Sequence, residues 1–357
     1  MKATGKVLSV AGAAVGMAAA GTALRVAQRR AVIARRGAGD ETAFGSLRSA
    51  PITVVADDGV DLHVEVDEYD GTGRRRATKA PELTVVFVHG YSLTLDSWHF
   101  QRAAYRGQVR TVFYDQRSHG RSGRSTVGHA TIEQLGHDLK LVLDTVVPHG
   151  PIVLVGHSMG GMTIMALAEE YPELFGDRVV GVGLISTTAG GLEPHRIVAP
   201  MLPSTVGGAV AERLMALLAR GHRQVDGFRR LGRSVAMVAT DELAFGDDVP
   251  ESYVEFVDQM LSSTPFGVVA EFFSNFASLD KFETVKALGV VPTSIICGTA
   301  DKITSIGHSR KLHAYISGSS LLECQGAGHL VIMERHDDVN AELDHLLALA
   351  GELADRR

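Results

Sequence analysis

Cysteine is nearly absent from this chain: 357 residues carry two, Cys297 and Cys324. Two thiols close at most one bridge, so a disulfide framework is excluded. Their place in strand-like apolar runs makes buried free thiols the expectation. No Cys-x-x-Cys pair and no His-Glu-x-x-His helix occurs, so the sequence calls for no metal and no cofactor. A basic excess is lacking too. Lys and Arg number 35 against 41 Asp and Glu, a net charge of −6, and such a chain sets up no field for nucleic acid. No internal repeat or long low-complexity tract is seen, which excludes a solenoid. What is present is 45% hydrophobic residue, enough for a large buried core.

One long uncharged run stands apart, Val7 to Leu24, rich in Ala and Gly and at the short edge of a bilayer span. Lys2 and Lys6 precede it; Arg25, Arg29, Arg30, Arg35 and Arg36 follow. Residues 1–36 therefore read as a membrane-associating or signal segment outside the main fold. The arginines are expected to face anionic headgroups and to keep the remaining chain cytoplasmic. Export, with cleavage near Ala20, is the rival reading. Residues 37–51 read as a linker, and residues 1–36 are expected to be dispensable for catalysis.

Beyond the linker the pattern becomes that of an α/β domain. Residues 52–56 and 62–66 suit an antiparallel pair around Asp57-Asp58-Gly59. Residues 83–88, 109–113, 152–155, 179–185, 293–297 and 320–323 are apolar runs of buried parallel-strand type. Helical patterns lie between them, at 131–146 (where Thr131 and Gln134 have capping-box spacing), 160–170 and 338–350. Strands alternating with helices imply a doubly wound, mostly parallel sheet. The core is expected in two parts, 52–190 and 289–357. Between them, residues 191–288 show helical patterns only, at 206–220, 226–240, 250–263 and 264–278, as a helical cap would.

Chemistry concentrates on three loops. Gly156-His157-Ser158-Met159-Gly160 follows an apolar strand and opens a helix, the context in which a serine is thrust out on a sharp turn flanked by small residues. A serine hydroxyl needs a base to take its proton. Asp301 falls just past the strand 293–297, and His329 lies in a Gly-rich loop after the next strand. Ser158, Asp301 and His329 thus share one rim in the order nucleophile, acid, base. Backbone N–H groups of Met159 and of Tyr91, after His89-Gly90, are placed to receive an oxyanion. His89 and His157 read as scaffold, and Asp337 and Asp338 as helix N-caps.

With these residues in view, the chain resembles the α/β-hydrolase superfamily. The resemblance rests on residues 86–98 (VFVHGYSLTLDSW), 114–122 (YDQRSHGRS), 154–161 (LVGHSMGG), 297–301 (CGTAD) and 326–329 (GAGH), and spans about residues 52–350. It is strongest to esterase, lipase, haloperoxidase-like and C–C-hydrolase members. It implies an α/β-hydrolase fold with Ser158, Asp301 and His329 as nucleophile, acid and base, and with Arg117 and His119 in a structural turn. Ser158 speaks against epoxide hydrolases and haloalkane dehalogenases, which have Asp there.

The expected activity is cleavage of a small, largely apolar carboxylic ester. Perhydrolysis, lactone opening, C–C hydrolysis and a non-catalytic binding fold are the alternatives. In the cap, Phe266, Val269, Phe273 and Phe276 share a face, with Phe272 at its border, and they are candidates for an acyl-pocket wall or for packing onto the core. Met201, Leu202, Leu214, Met215, Leu217 and Leu218 add apolar surface, and Arg229, Arg230 and Arg233 read as a solvated face.

Overall fold

A computed structural model describes residues 24–37, 43–71, 83–126, 128–193, 213 and 232–356. Its centre is one eight-stranded sheet. The strands are β1 (Pro51–Val55), β2 (Asp61–Asp67), β3 (Thr84–Val88), β4 (Arg110–Tyr114), β5 (Ile152–His157), β6 (Val179–Ile185), β7 (Thr293–Gly298) and β8 (Ser320–Cys324). Their order is β1-β2-β4-β3-β5-β6-β7-β8, antiparallel at β1, β2 and β4 and parallel thereafter. Every residue of β3, β5, β6 and β7 is buried. That is why these strands read as unbroken apolar runs: a parallel sheet is covered on both faces. β8 is an edge strand and only half-buried, which accounts for its weaker pattern.

Around the sheet lie helices α1 (24–33), α2 (His99–Tyr105), α3 (Ile132–Val146), α4 (Met159–Glu170), α5 (Arg233–Ala244), α6 (Glu251–Ser263), α7 (Phe266–Ser278), α8 (Ile306–Tyr315), α9 (Val331–Glu334) and α10 (His336–Asp355). Thr131 caps α3 as expected, its hydroxyl accepting from the Gln134 N–H at 3.1 Å. The reciprocal half of the capping box is not made. The Gln134 amide donates instead to Asp138 at 3.4 Å, one turn on. Asp337 and Asp338 lie inside the first turn of α10 rather than at its cap, which is Arg335, so they act on the helix dipole.

Helices α5, α6 and α7 belong to the insertion between β6 and β7. The helical pattern at 206–220 lies outside the described residues apart from residue 213, as does the start of the one at 226–240. So do Met201, Leu202, Leu214, Met215, Leu217, Leu218, Arg229 and Arg230.

The N-terminal segment departs most from expectation. Val7 to Ala23 lie outside the described residues, and among the described ones no helix is long and apolar enough to cross a membrane. Residues 24–36 do not stand apart from the fold. Ile33 is fully buried in the main hydrophobic core. Arg29 lies 3.0 Å from Asp241, and Arg36 reaches both Asp241 and Asp248 at 2.5 Å. Arg30 pairs with Glu251. These arginines therefore meet carboxylates of the cap where lipid headgroups were expected, because α1 lies along α5 and α6. The linker is also anchored: Phe44 stacks on Phe256 of α6 with ring centroids 4.6 Å apart, and Arg48 grips Asp96.

Candidate active site

The turn between β5 and α4 creates the site. Ser158 sits at φ 53°, ψ −118°, a conformation L-residues avoid, and its N–H donates to the Ile185 carbonyl at 2.9 Å. Such strain persists only where the surroundings hold it. Here they do. A Cβ on Gly156 would stand 2.5 Å from the Gly160 carbonyl oxygen, and one on Gly160 would collide with the Val88 carbonyl oxygen. The two glycines let β5, α4 and β3 close around the serine.

The tertiary fold brings the three expected side chains together. His329 Nε2 lies 3.0 Å from Ser158 Oγ, and His329 Nδ1 lies 2.9 Å from Asp301 Oδ2. All three are buried, at 7%, 5% and 5% exposure for Ser158, Asp301 and His329. Burial alone would raise the Asp301 pKa. The adjoining His329, the N–H groups of Ile303 and Thr304 at 2.8 and 2.9 Å, and the Thr304 hydroxyl at 2.9 Å outweigh it and hold the carboxyl below its ordinary value. Asp301 is thus kept anionic and aimed at the imidazole. Thr304 was not foreseen, although its place three residues after Asp301 suits a local side-chain-to-backbone turn.

Of the expected oxyanion donors, Met159 is the residue after Ser158 and Tyr91 the residue after Gly90. Met159 opens α4, and first-turn N–H groups have no intrahelical acceptor. Gly90 packs so closely that a Cβ on it would lie 2.8 Å from His157 Nδ1 and 3.2 Å from the Ser158 Cβ.

The neighbouring histidines have other tasks. His89 Nε2 accepts from the Gln116 N–H at 2.9 Å, and its Nδ1–H donates to the Gly90 carbonyl at 2.8 Å. His119 Nδ1–H donates to the Arg117 carbonyl at 2.9 Å, and His157 Nε2–H to the His329 carbonyl at 3.0 Å. Burial pushes the three down, to about 4, 3 and 3 respectively, so all stay neutral. Arg117, fully buried, grips Asp138 through two 2.6 Å bonds and Asp58 at 2.8 Å. Cys297 and Cys324 are buried and free. Among the described residues no three His, Cys, Asp or Glu side chains gather as metal ligands would.

Cap helix α7 supplies one wall. Val268, Phe272 and Phe276 share a buried cluster with Met159 and Met162 of α4, and Tyr91 packs against it. The Tyr91 hydroxyl donates to the Val269 carbonyl. Phe266 and Phe273 are half-buried. The inward row is therefore Val268–Phe272–Phe276, at four-residue spacing. Phe272 lies at its centre and not at its border, because α7 is rotated relative to the face read from its phenylalanines.

A model of the family described as "Alpha/beta hydrolase family" matches residues 85–342. The chain belongs to the α/β-hydrolase family. It is 26% identical over 264 residues to an uncharacterized protein of Mycobacterium tuberculosis, covering 71% of each chain. Among solved structures it is similar to the enol-lactonase of Burkholderia xenovorans, with a TM-score of 0.63 and 25% identity over 83% of this chain and 100% of that one. It shares the fold of a thermophilic esterase from Thermogutta terrifontis, with a TM-score of 0.67 and 24% identity over 85% and 100% of the two chains. Family membership fixes the scaffold of this hydrolase; the reaction has to be argued from the rim.

Proposed function

We propose that this hydrolase cleaves a carboxylic ester through an acyl-enzyme on Ser158, with His329 as general base and Asp301 as its orienting acid. The observation that carries this reading is the continuous chain from Ser158 Oγ through His329 to Asp301, at 3.0 and 2.9 Å. Asp301 fixes the tautomer with the proton on Nδ1, which leaves Nε2 free to take the hydroxyl proton as Oγ attacks the carbonyl carbon. Negative charge then develops on the carbonyl oxygen, where the N–H groups of Met159 and Tyr91 receive it. The imidazolium, stabilised by Asp301, returns its proton to the departing alkoxide. Water, deprotonated by the same Nε2, attacks the acyl carbon and frees Ser158.

The apolar lining of Phe272, Phe276, Met159 and Met162 favours an uncharged, largely apolar acyl group. A lactone is a second reading, favoured by the similarity to an enol-lactonase. It is an internal ester, and the same steps would open its ring.

A fluorophosphonate probe and a p-nitrophenyl ester panel of graded acyl length test the reading. The expected result is labelling at Ser158 and turnover of the esters, with Ser158→Ala abolishing the first and lowering the second by about 10⁴–10⁶-fold. A folded chain that neither labels at Ser158 nor turns over any ester or lactone would overturn it.

A further inference from the structure

The cap returns to the core at the base. Between α5 and α6 the chain passes through Phe245, Gly246 and Asp247, and it lies against Gly326, Ala327 and Gly328, the three residues before His329. The approach excludes side chains from both partners. A Cβ on Gly246 would collide with the Gly326 carbonyl oxygen, and one on Gly328 would stand 2.5 Å from the Gly246 nitrogen. Just past the base, the Leu330 N–H donates to the Ala244 carbonyl at 2.9 Å. His329 is thus flanked on both sides by residues that rest on the end of α5.

One side chain bridges this seam. Glu334 closes α9, five residues beyond His329. Its Oε1 accepts from the N–H groups of Asp247 at 2.7 Å and Gly246 at 3.1 Å, and its Oε2 accepts from the Gly328 N–H at 2.8 Å while sharing the Gly246 N–H at 3.2 Å. The same carboxylate therefore holds two amides of the cap and, through Oε2, the peptide next to the base.

We propose that Glu334 is a positioning residue for His329, tying the seat of the imidazole to a docked cap. The inference rests on the reading of His329 as general base. Glu334 touches neither substrate nor the reacting atoms and acts through the Gly328 amide. Its effect is on geometry: proton transfer from Ser158 needs Nε2 within hydrogen-bond reach, and a displacement of about 1 Å in such an arrangement costs on the order of 10²-fold in rate. If the carboxylate only satisfied exposed amides, its loss would lower stability and leave the turnover of each folded molecule alone.

Glu334→Gln and Glu334→Ala in the full chain separate the two roles. Turnover would be measured with p-nitrophenyl esters, active sites counted by fluorophosphonate labelling, and unfolding followed by heat. Gln keeps the size of the side chain, but one accepting oxygen becomes an NH2 that only donates, so either the Asp247 or the Gly328 N–H loses its acceptor. We expect Glu334→Gln to lower kcat per labelled site by about 10- to 100-fold, with KM changed less than about threefold and the melting temperature within a few degrees of wild type. Glu334→Ala should lose at least as much; if it fails to fold, Glu334→Gln decides alone. Wild-type kcat per site in the Gln variant, whatever its melting temperature, would overturn the proposal. A wild-type chain that neither labels nor turns over ester would sink the reading of the site and this inference with it. Activity in the wild type with an unimpaired Gln variant would sink the inference alone.

Discussion

The catalytic rim and the N-terminal seam both hold carboxylates against basic groups, and they do so to opposite ends. At the rim, Asp301 meets one imidazole and is fixed by two backbone amides and a hydroxyl; in the proposed mechanism it answers only the charge that appears on His329. At the seam, Arg25, Arg29, Arg30 and Arg36 meet Asp241, Glu242, Asp248, Glu251 and Glu255 in a graded network. Exposure runs from 1% for the Asp241 side chain and 9% for Arg36 to 78% for Arg25. The contrast teaches that ion pairing does chemistry only where one member can change its proton. Elsewhere it fastens one element to another, and its worth follows burial.

Asp301→Asn tests that contrast where the effect should be largest. Turnover of a p-nitrophenyl ester is expected to drop by about 10⁴-fold through the wrong imidazole tautomer, with the fold retained. Turnover near that of wild type would show that another group orients His329.

At the seam the expected effect is on stability. Removing Arg29 and Arg36 together leaves Asp241 buried without a cation, at a cost of about 3–5 kcal/mol in urea unfolding. Arg25→Ala, at a pair that is mostly solvated, should cost less than about 1 kcal/mol. Equal small losses in both variants would show that α1 is a surface appendage. By the same logic a chain lacking residues 1–36, which also loses the buried Ile33, should be destabilised, against the dispensability its charge pattern implies.

Acid should also separate the two regions. Buried histidines crowd the rim, and burial holds His119, His157 and His89 at about 3, 3 and 4. Each is neutral when folded and protonates near 6.5 when unfolded, so the unfolded chain binds more protons below that value. Their contribution is therefore present above pH 6.5 and is lost as pH falls toward 3–4. Asp115, raised by burial to about 6, acts in the opposite sense. Unfolding free energy measured between pH 6 and 4 should fall with acid, and His119→Phe should flatten the slope by about 1.4 kcal/mol per pH unit. An unchanged slope would mean that His119 is protonated in the folded protein.

Legibility in the sequence followed the range of the interactions. The serine turn was readable because part of its constraint is local: Gly156 is demanded by the Gly160 carbonyl four residues on, although Gly160 is demanded by the distant Val88 of β3. The parallel strands were readable because burial on both faces leaves few polar positions, such as Thr84, Thr293 and Ser294 near strand starts. Thr304 is local too, three residues past Asp301, but a single threonine at that spacing forms no motif that marks it out. Glu334 gave no signal, since its partners Gly246 and Asp247 lie almost ninety positions away. The same holds for Arg36 and Asp241, 205 residues apart. Read alone, a cluster of arginines after an apolar run suggests lipid, because only the fold supplies the carboxylates that occupy it.

The sequence by itself determined the sheet, the serine turn and which three side chains, Ser158, Asp301 and His329, meet at the rim, because periodicity, glycine spacing and motif order are written along the chain. Only the tertiary structure decided which face of α7 turns inward, where the arginines of α1 find their partners, and that the cap ends against the loop of His329. Those outcomes depend on which distant surfaces meet, and a carboxylate or an arginine carries no mark in sequence of the group that will neutralise it.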